Sequence, residues 1–134
     1  MPNDQLHPTG GYRHVTITEP GRTAHLAGQC PVDQDQQVVG IGDLEAQIEQ
    51  VAANCMAALA VAGAEPKDVV RSVVYVVSAD SRTIGNAWHR LHDHPKLGPA
   101  FNSASTVLGV TALGYKGQLV EVDLTAELPD EPIC

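Results

Sequence analysis

The side chains able to do chemistry in this 134-residue chain are few and far apart. Glu121 stands in LVEVDLTAEL (119–128), where Val120, Val122, Leu124, Ala126 and Leu128 alternate with Glu121, Asp123, Thr125 and Glu127. That period of two sets Glu121 on the polar face of a strand. An acid there is ordinarily solvated or paired at an interface. Its chemical use would be to orient or deprotonate a water. Ser105 follows Asn102 and Ser103 where a Gly/Pro/Asn loop enters a strand. The three could hydrogen-bond a carbonyl or amide as a neutral pocket, or simply satisfy the backbone before the strand. No Ser/His/Asp arrangement surrounds Ser105, so it is not read as an activated nucleophile.

Histidines and cysteines offer less. His89 and His92 lie one helical turn apart, and His94 precedes Pro95. No acid or cysteine stands at zinc-ligand spacing around them, so no metal is expected. They read as surface imidazoles near a helix C-terminus, where their partial positive charge is favourable. His14 and His25 fall at polar positions of a first hairpin. Cys30, Cys55 and Cys134 are odd in number and widely spaced, and form no CxxC pair. They read as reduced thiols of a cytoplasmic protein. Cys55 belongs to a core stripe. Cys30 follows Gly28–Gln29 without a basic neighbour to activate it. Tyr75 and Trp88 read as core aromatics.

The elements that must position these groups follow from periodicity. HVTIT (14–18) alternates like a strand, EPGR (19–22) reads as a turn, and 23–29 reads as the returning strand of a hairpin. A short strand is expected at Gln37–Val39. Leu44, Ile48, Val51, Cys55, Leu59 and Ala62 form one apolar stripe on a helix over 43–62, with Asp43 as N-cap and Gly63 as terminator. VVRSVVYVV (69–77) is apolar at nearly every position, the pattern of a strand covered on both faces. A second helix is expected at about 82–93, capped by Asp80 or Ser81, then strands at 104–113 and 119–128. The order is β-β-(β)-α-β-α-β-β. It implies an α+β fold: one mixed sheet with two helices on one face. Two helices cannot cover both faces, so the second face of strand 69–77 calls for another copy of the chain.

Composition narrows the partners. Eight Lys+Arg against sixteen Asp+Glu give a charge of −8, and aromatics make up 4%, which argues against nucleic acid and anionic membranes. No apolar run reaches membrane-spanning length, and the polar start carries no secretory signal. One domain over 1–134 is expected, with loose ends at 1–11 and 129–134.

LAGQCPVD (26–33), GIGDLEAQIEQVAANCMAAL (40–59), AGAEPKDVVRSVVYV (62–76), STVLGVTAL (105–113) and LVEVDLTAE (119–127) together resemble the RidA/YjgF family across nearly the whole chain. The resemblance implies a chorismate-mutase-like fold and a homotrimer with ligand clefts between subunits. Arginine-bearing members hydrolyse enamines and imines to ketoacids and ammonia without cofactor or metal. Their arginine grips the substrate carboxylate in Ala-Arg-Thr or Ala-Arg-Ser; here Ala104-Ser105-Thr106 stands in its place. Losing a bidentate cation from a partly buried cleft removes about 2–5 kcal/mol from carboxylate binding.

By the same resemblance Glu121 matches the cleft glutamate that would position water. Gly28 matches the glycine whose backbone lines the cleft, Tyr12 the cleft tyrosine, and Asn86 an asparagine on the second helix. With Ser105 these form the expected ligand site, and the expected function is binding of a small carbonyl-, imine- or enamine-type molecule. A cofactor-free hydrolase and a non-catalytic metabolite-binding protein both fit that cleft. An RNA-directed activity, the label of some relatives, is opposed by the charge and the lack of a basic cluster.

Overall fold

The computed structural model describes residues 5–130; Cys134 and the outermost parts of both expected loose ends lie outside them. The elements are β1 (Thr23–His25), α1 (Leu44–Ala62), β2 (Val69–Val77), α2 (Ser81–His92), β3 (Ala104–Val110) and β4 (Val120–Glu127). Short 3-10 turns at Pro66–Asp68 and Gly98–Asn102 lead into β2 and β3. The four strands form one mixed sheet in the order β1-β4-β2-β3. β2 and β3 run parallel, joined through α2, while β4 runs antiparallel to β1 and β2.

The helices form where their stripes and caps require. Asp43 accepts the Ala46 N–H at 3.1 Å to start α1, and Gly63, at φ 80°, ends it. Asp80 accepts the Arg82 N–H at 3.1 Å to start α2. Ile48, Val51, Cys55 and Leu59 of α1 and Ala87, Trp88 and Leu91 of α2 share one core with Val74, Val76, Val120, Val122 and Leu124 of the sheet.

The two faces of the sheet differ. On β2, Ser72, Val74 and Val76 are buried while Val73, Tyr75 and Val77 are half-buried. On β4, Glu121, Asp123, Thr125 and Glu127 share that half-buried face. Neither helix packs there; this open face also carries Tyr75, which pairs with Glu121 in the ladder. Tyr75 is therefore not a core aromatic of the chain. The reason is parity: it lies an odd number of residues from Val74 and Val76, which face the helices.

Several expected strands are shorter or absent. Residues 14–18 form no strand, and β1 pairs with β4 rather than with them. The segment touches β3 at one bridge, Arg13 to Ala104. Beyond that bridge the contact passes to a side chain: the Ala104 N–H donates to the Thr16 hydroxyl at 2.9 Å. Val15 and Ile17 are left exposed. Beyond His25 the chain follows β4 irregularly, through Leu26 N–H to Leu124 O and a bridge from Gln29 to Val122. Gln37–Val39 contributes only a bridge from Val38 to Val32. β3 stops at Val110, where its partner β2 ends at Val77. Within the expected N-terminal loose end, Thr9 Oγ1 is hydrogen-bonded to the Tyr12 carbonyl and to the Gly11 N–H.

Candidate functional site

β4 carries Glu121 onto the open face, and the 26–32 segment crosses in front of it. Gly28 lies so close that a Cβ there would overlap Glu121 Oε2 and stand 3.0 Å from Cδ. The glycine's φ is not positive; its lack of a side chain serves close approach. Glu121 Oε1 accepts the Cys30 thiol at 3.2 Å and the Gln118 amide at 3.1 Å. Burial, then the hydrogen bond and charge of Glu121, push the Cys30 thiol up to about 11. Cys30 is thus a protonated donor to the carboxylate, not a nucleophile. Glu121 Oε2 has no hydrogen-bond partner among the described residues and lies against the Gly28 backbone.

Three polar side chains that position this corner went unread in the sequence. Gln47 is fully buried in α1: its amide donates to Gly40 O at 3.1 Å and Gly117 O at 2.9 Å, and its oxygen accepts Leu119 N–H at 2.7 Å. It ties α1 to the turn that aims β4. Asn54 donates to Cys30 O and Val32 O, each at 2.9 Å, and fixes the 30–32 segment. Gln118 is buried and also donates to Val120 O at 3.1 Å. The available signal was position: Gln47 falls on the inward stripe between Leu44 and Val51, where a polar side chain needs buried partners.

Ser105 lies elsewhere. It pairs with Ser72 across β2 and β3, and Ser72 faces the helices. Ser72 Oγ donates to Ser105 Oγ at 2.6 Å, and Ser105 Oγ donates to Ser103 O at 3.0 Å. Ser105 therefore occupies the sheet face opposite Glu121. It borders a cleft of about 460 Å³ with Tyr12, Gly85, Trp88, His89 and Val107 among its walls. Tyr12 meets Trp88 edge-on at 5.8 Å, and His92 stacks on Trp88 at 4.9 Å. Trp88 is both core and cleft wall.

Asn86 joins neither group; it lines a groove between the helices with Leu44, Glu45, Thr83 and Arg90. Asn102 meets His92 Nε2 at 3.1 Å, and Ser103 donates to Ala100 O at 2.8 Å, so both serve local structure. His94 Nδ1 accepts the N–H groups of Lys96 and Leu97, which leaves Nε2 to donate to Glu49 at 3.2 Å. His14 packs edge-on against Tyr12 and His7, and His25 lies on β1. Among the described residues no three His, Cys, Asp or Glu side chains gather as a metal site. Cys55 is fully buried, and burial pushes its thiol up to about 12.

Comparison with known proteins gives one family. Residues 2–128 match the family model described as Endoribonuclease L-PSP. Among solved structures, the chain is similar to YyfB of Yersinia pestis, a protein of unknown function of the conserved Rid protein family. The two share 32% identity over 96% of each chain, with a TM-score of 0.81. It is also similar to YyfA of the same organism (29% identity, 90% of each chain, TM-score 0.66). A third is Rv2704 of Mycobacterium tuberculosis, from the YjgF/YER057c/UK114 family (27%, 82% of each chain, TM-score 0.58). No curated protein matches the chain. Among the described residues no helix is long and apolar enough to cross a membrane.

Proposed function

This chain belongs to the endoribonuclease L-PSP family, the Rid/YjgF proteins, and we propose that it binds a small carbonyl-, imine- or enamine-type molecule in clefts shared between copies of a homotrimer. One observation carries this reading. Four of the five expected site residues fall into two half-sites on opposite faces of one sheet: Gly28 and Glu121, joined by Cys30, on the open face, and Tyr12 and Ser105, joined by Trp88, on the other, while Asn86 belongs to neither. No side-chain motion brings Ser105 to Glu121 through the sheet, so the partner of each half comes from a second copy. The half-buried row Val73, Tyr75 and Val77 supplies apolar area for that contact.

In such a cleft the Gly28 backbone and the aromatic walls hold the ligand. The free Oε2 of Glu121 orients water toward an electrophilic carbon, and Oε1 stays fixed by Cys30 and Gln118. Water adds to the C=N carbon, and the resulting carbinolamine expels ammonia as the carbonyl forms. No redox partner is needed. The same cleft without turnover gives the second reading, a metabolite-binding protein; Ser105, in place of the family's arginine, favours it. RNA cleavage, which the family's name carries, is disfavoured by the charge of −8 and by Glu121 and Asp123 on the open face.

The test combines native mass spectrometry with ammonia release from freshly generated imines. Release that falls in Glu121→Gln supports the hydrolase. An occupied cleft without release supports the binding protein. Absence of both, with no ammonia released and no carbonyl or imine occupying the protein, would overturn the proposal.

A further inference from the structure

We infer that the half-site at Tyr12, Trp88 and Ser105 takes the planar, uncharged part of its ligand, an aryl or conjugated group, and rejects a carboxylate. This rests on the shared-cleft reading above and goes on to name the ligand class. The first ground is the state of Ser105. Its one hydroxyl proton is directed to Ser103 O at 3.0 Å, and its oxygen already accepts from Ser72 at 2.6 Å. Ser105 itself therefore offers an oxyanion no free donor. The other donors of the lining include the Tyr12 hydroxyl and the ring N–H groups of Trp88 and His89, and they supply single hydrogen bonds, not the bidentate cation that best repays desolvation of a carboxylate. Among the described residues, no Lys, Arg, Asp or Glu lines the cleft. Arg71 on β2 is not itself in the lining: its guanidinium donates to Thr106 Oγ1, a residue that does line the cleft, at 2.9 Å and to Ala104 O at 3.4 Å.

The second ground is Gly85, in the middle of α2. Glycine is the poorest helix former after proline. Nothing in the backbone demands it, since its φ is not positive. Nothing in the packing demands it either: a Cβ at 85 would meet no heavy atom within 4 Å. What the missing side chain leaves is open space in the cleft wall, beside the edge-on pair of Trp88 and Tyr12. The lining thus offers a flat ring a bare stretch of helix at Gly85, the aromatic side chains of Tyr12 and Trp88, and apolar Val107.

The test uses benzamide and benzoate, alike in shape and different in charge. Binding is read from the fluorescence of Trp88, the chain's one tryptophan, and by ligand-observed NMR at mildly alkaline pH. Benzamide is expected to bind at least about tenfold more tightly than benzoate. Gly85→Ala is expected to raise the melting temperature while weakening benzamide binding, because alanine favours the helix and fills the wall. Gly85→Leu is expected to abolish binding with the helical circular dichroism intact. Ser105→Arg is expected to reverse the preference toward benzoate. Benzoate binding as well as benzamide to the wild-type protein would overturn the inference, as would benzamide binding undiminished in Gly85→Leu. Absence of binding by either probe up to millimolar concentration would overturn it too. If benzoate wins in a trimer whose imine hydrolysis still depends on Glu121, only this inference falls. If the protein is a monomer without any ligand, the shared-cleft reading falls with it.

Discussion

The Cys30 thiol donates to Glu121 Oε1 across 3.2 Å, linking the segment after β1 to β4 on the face no helix covers. The pairing acts on both partners. An acidic neighbour and partial burial keep the thiol protonated, at about 11 against an ordinary 9.0. The thiol and Gln118 together hold one carboxylate oxygen and leave the other beside Gly28.

Cys30 should therefore alkylate slowly near neutral pH. In a Cys134→Ser background, iodoacetamide is expected to label it far more slowly than a free thiol peptide, with the rate still rising above pH 9. Glu121→Gln is expected to accelerate labelling only modestly, since burial is the larger cause of the shift. Labelling as fast as the peptide would break the Cys30–Glu121 relationship.

The same shift fixes a sign for stability against pH. The raised folded value means that the unfolded thiol ionises first as pH rises. The contribution is whole below pH 9 and is lost as pH climbs through about 11. Urea midpoints measured over that window should fall more steeply for the wild-type protein than for Cys30→Ser.

Gly28→Ala separates folding from function. The new methyl meets only the end of the Glu121 side chain, which can swing away. Stability should change by about 1 kcal/mol or less, as for most surface substitutions. Turnover or binding should fall by about 10²-fold, because the carboxylate is displaced. Equal losses of both would make the glycine structural.

Gln47→Leu should do the opposite. It removes partners from Leu119 N–H, Gly40 O and Gly117 O in the core. Unsatisfied buried groups cost about 1–3 kcal/mol each when water cannot replace the partner. Chemical denaturation should show a loss of that order for the fold as a whole.

How much of this was legible in the sequence depended on whether local pattern or long-range pairing decided the outcome. α1 and β2 were readable because the stripe from Leu44 to Ala62 and the run from Val69 to Val77 each specify one conformation. The N-terminal hairpin was not. HVTIT has strand periodicity, but beyond the bridge at Arg13 it meets β3 through the Thr16 side chain, and β1 finds its partner about a hundred residues away, with Thr23 opposite Glu127. For the site, alternation and family resemblance together marked Glu121 and Gly28, which lie in contact range. Strand parity also separates Ser105 from Glu121, but only once the register of Ser72 with Ser105 and of Tyr75 with Glu121 is known. Register between distant strands is not written in either one.

The measurement that bears most directly on the shared cleft is the mass of the protein in solution by light scattering at micromolar concentration. A closed trimer, about 43 kDa or three times the 14.2 kDa chain, is expected, since it lets the Glu121 half of one copy meet the Ser105 half of the next. A stable 14.2 kDa monomer would contradict it, because Glu121 and Ser105 would then remain on opposite faces of one sheet with no route to a common ligand.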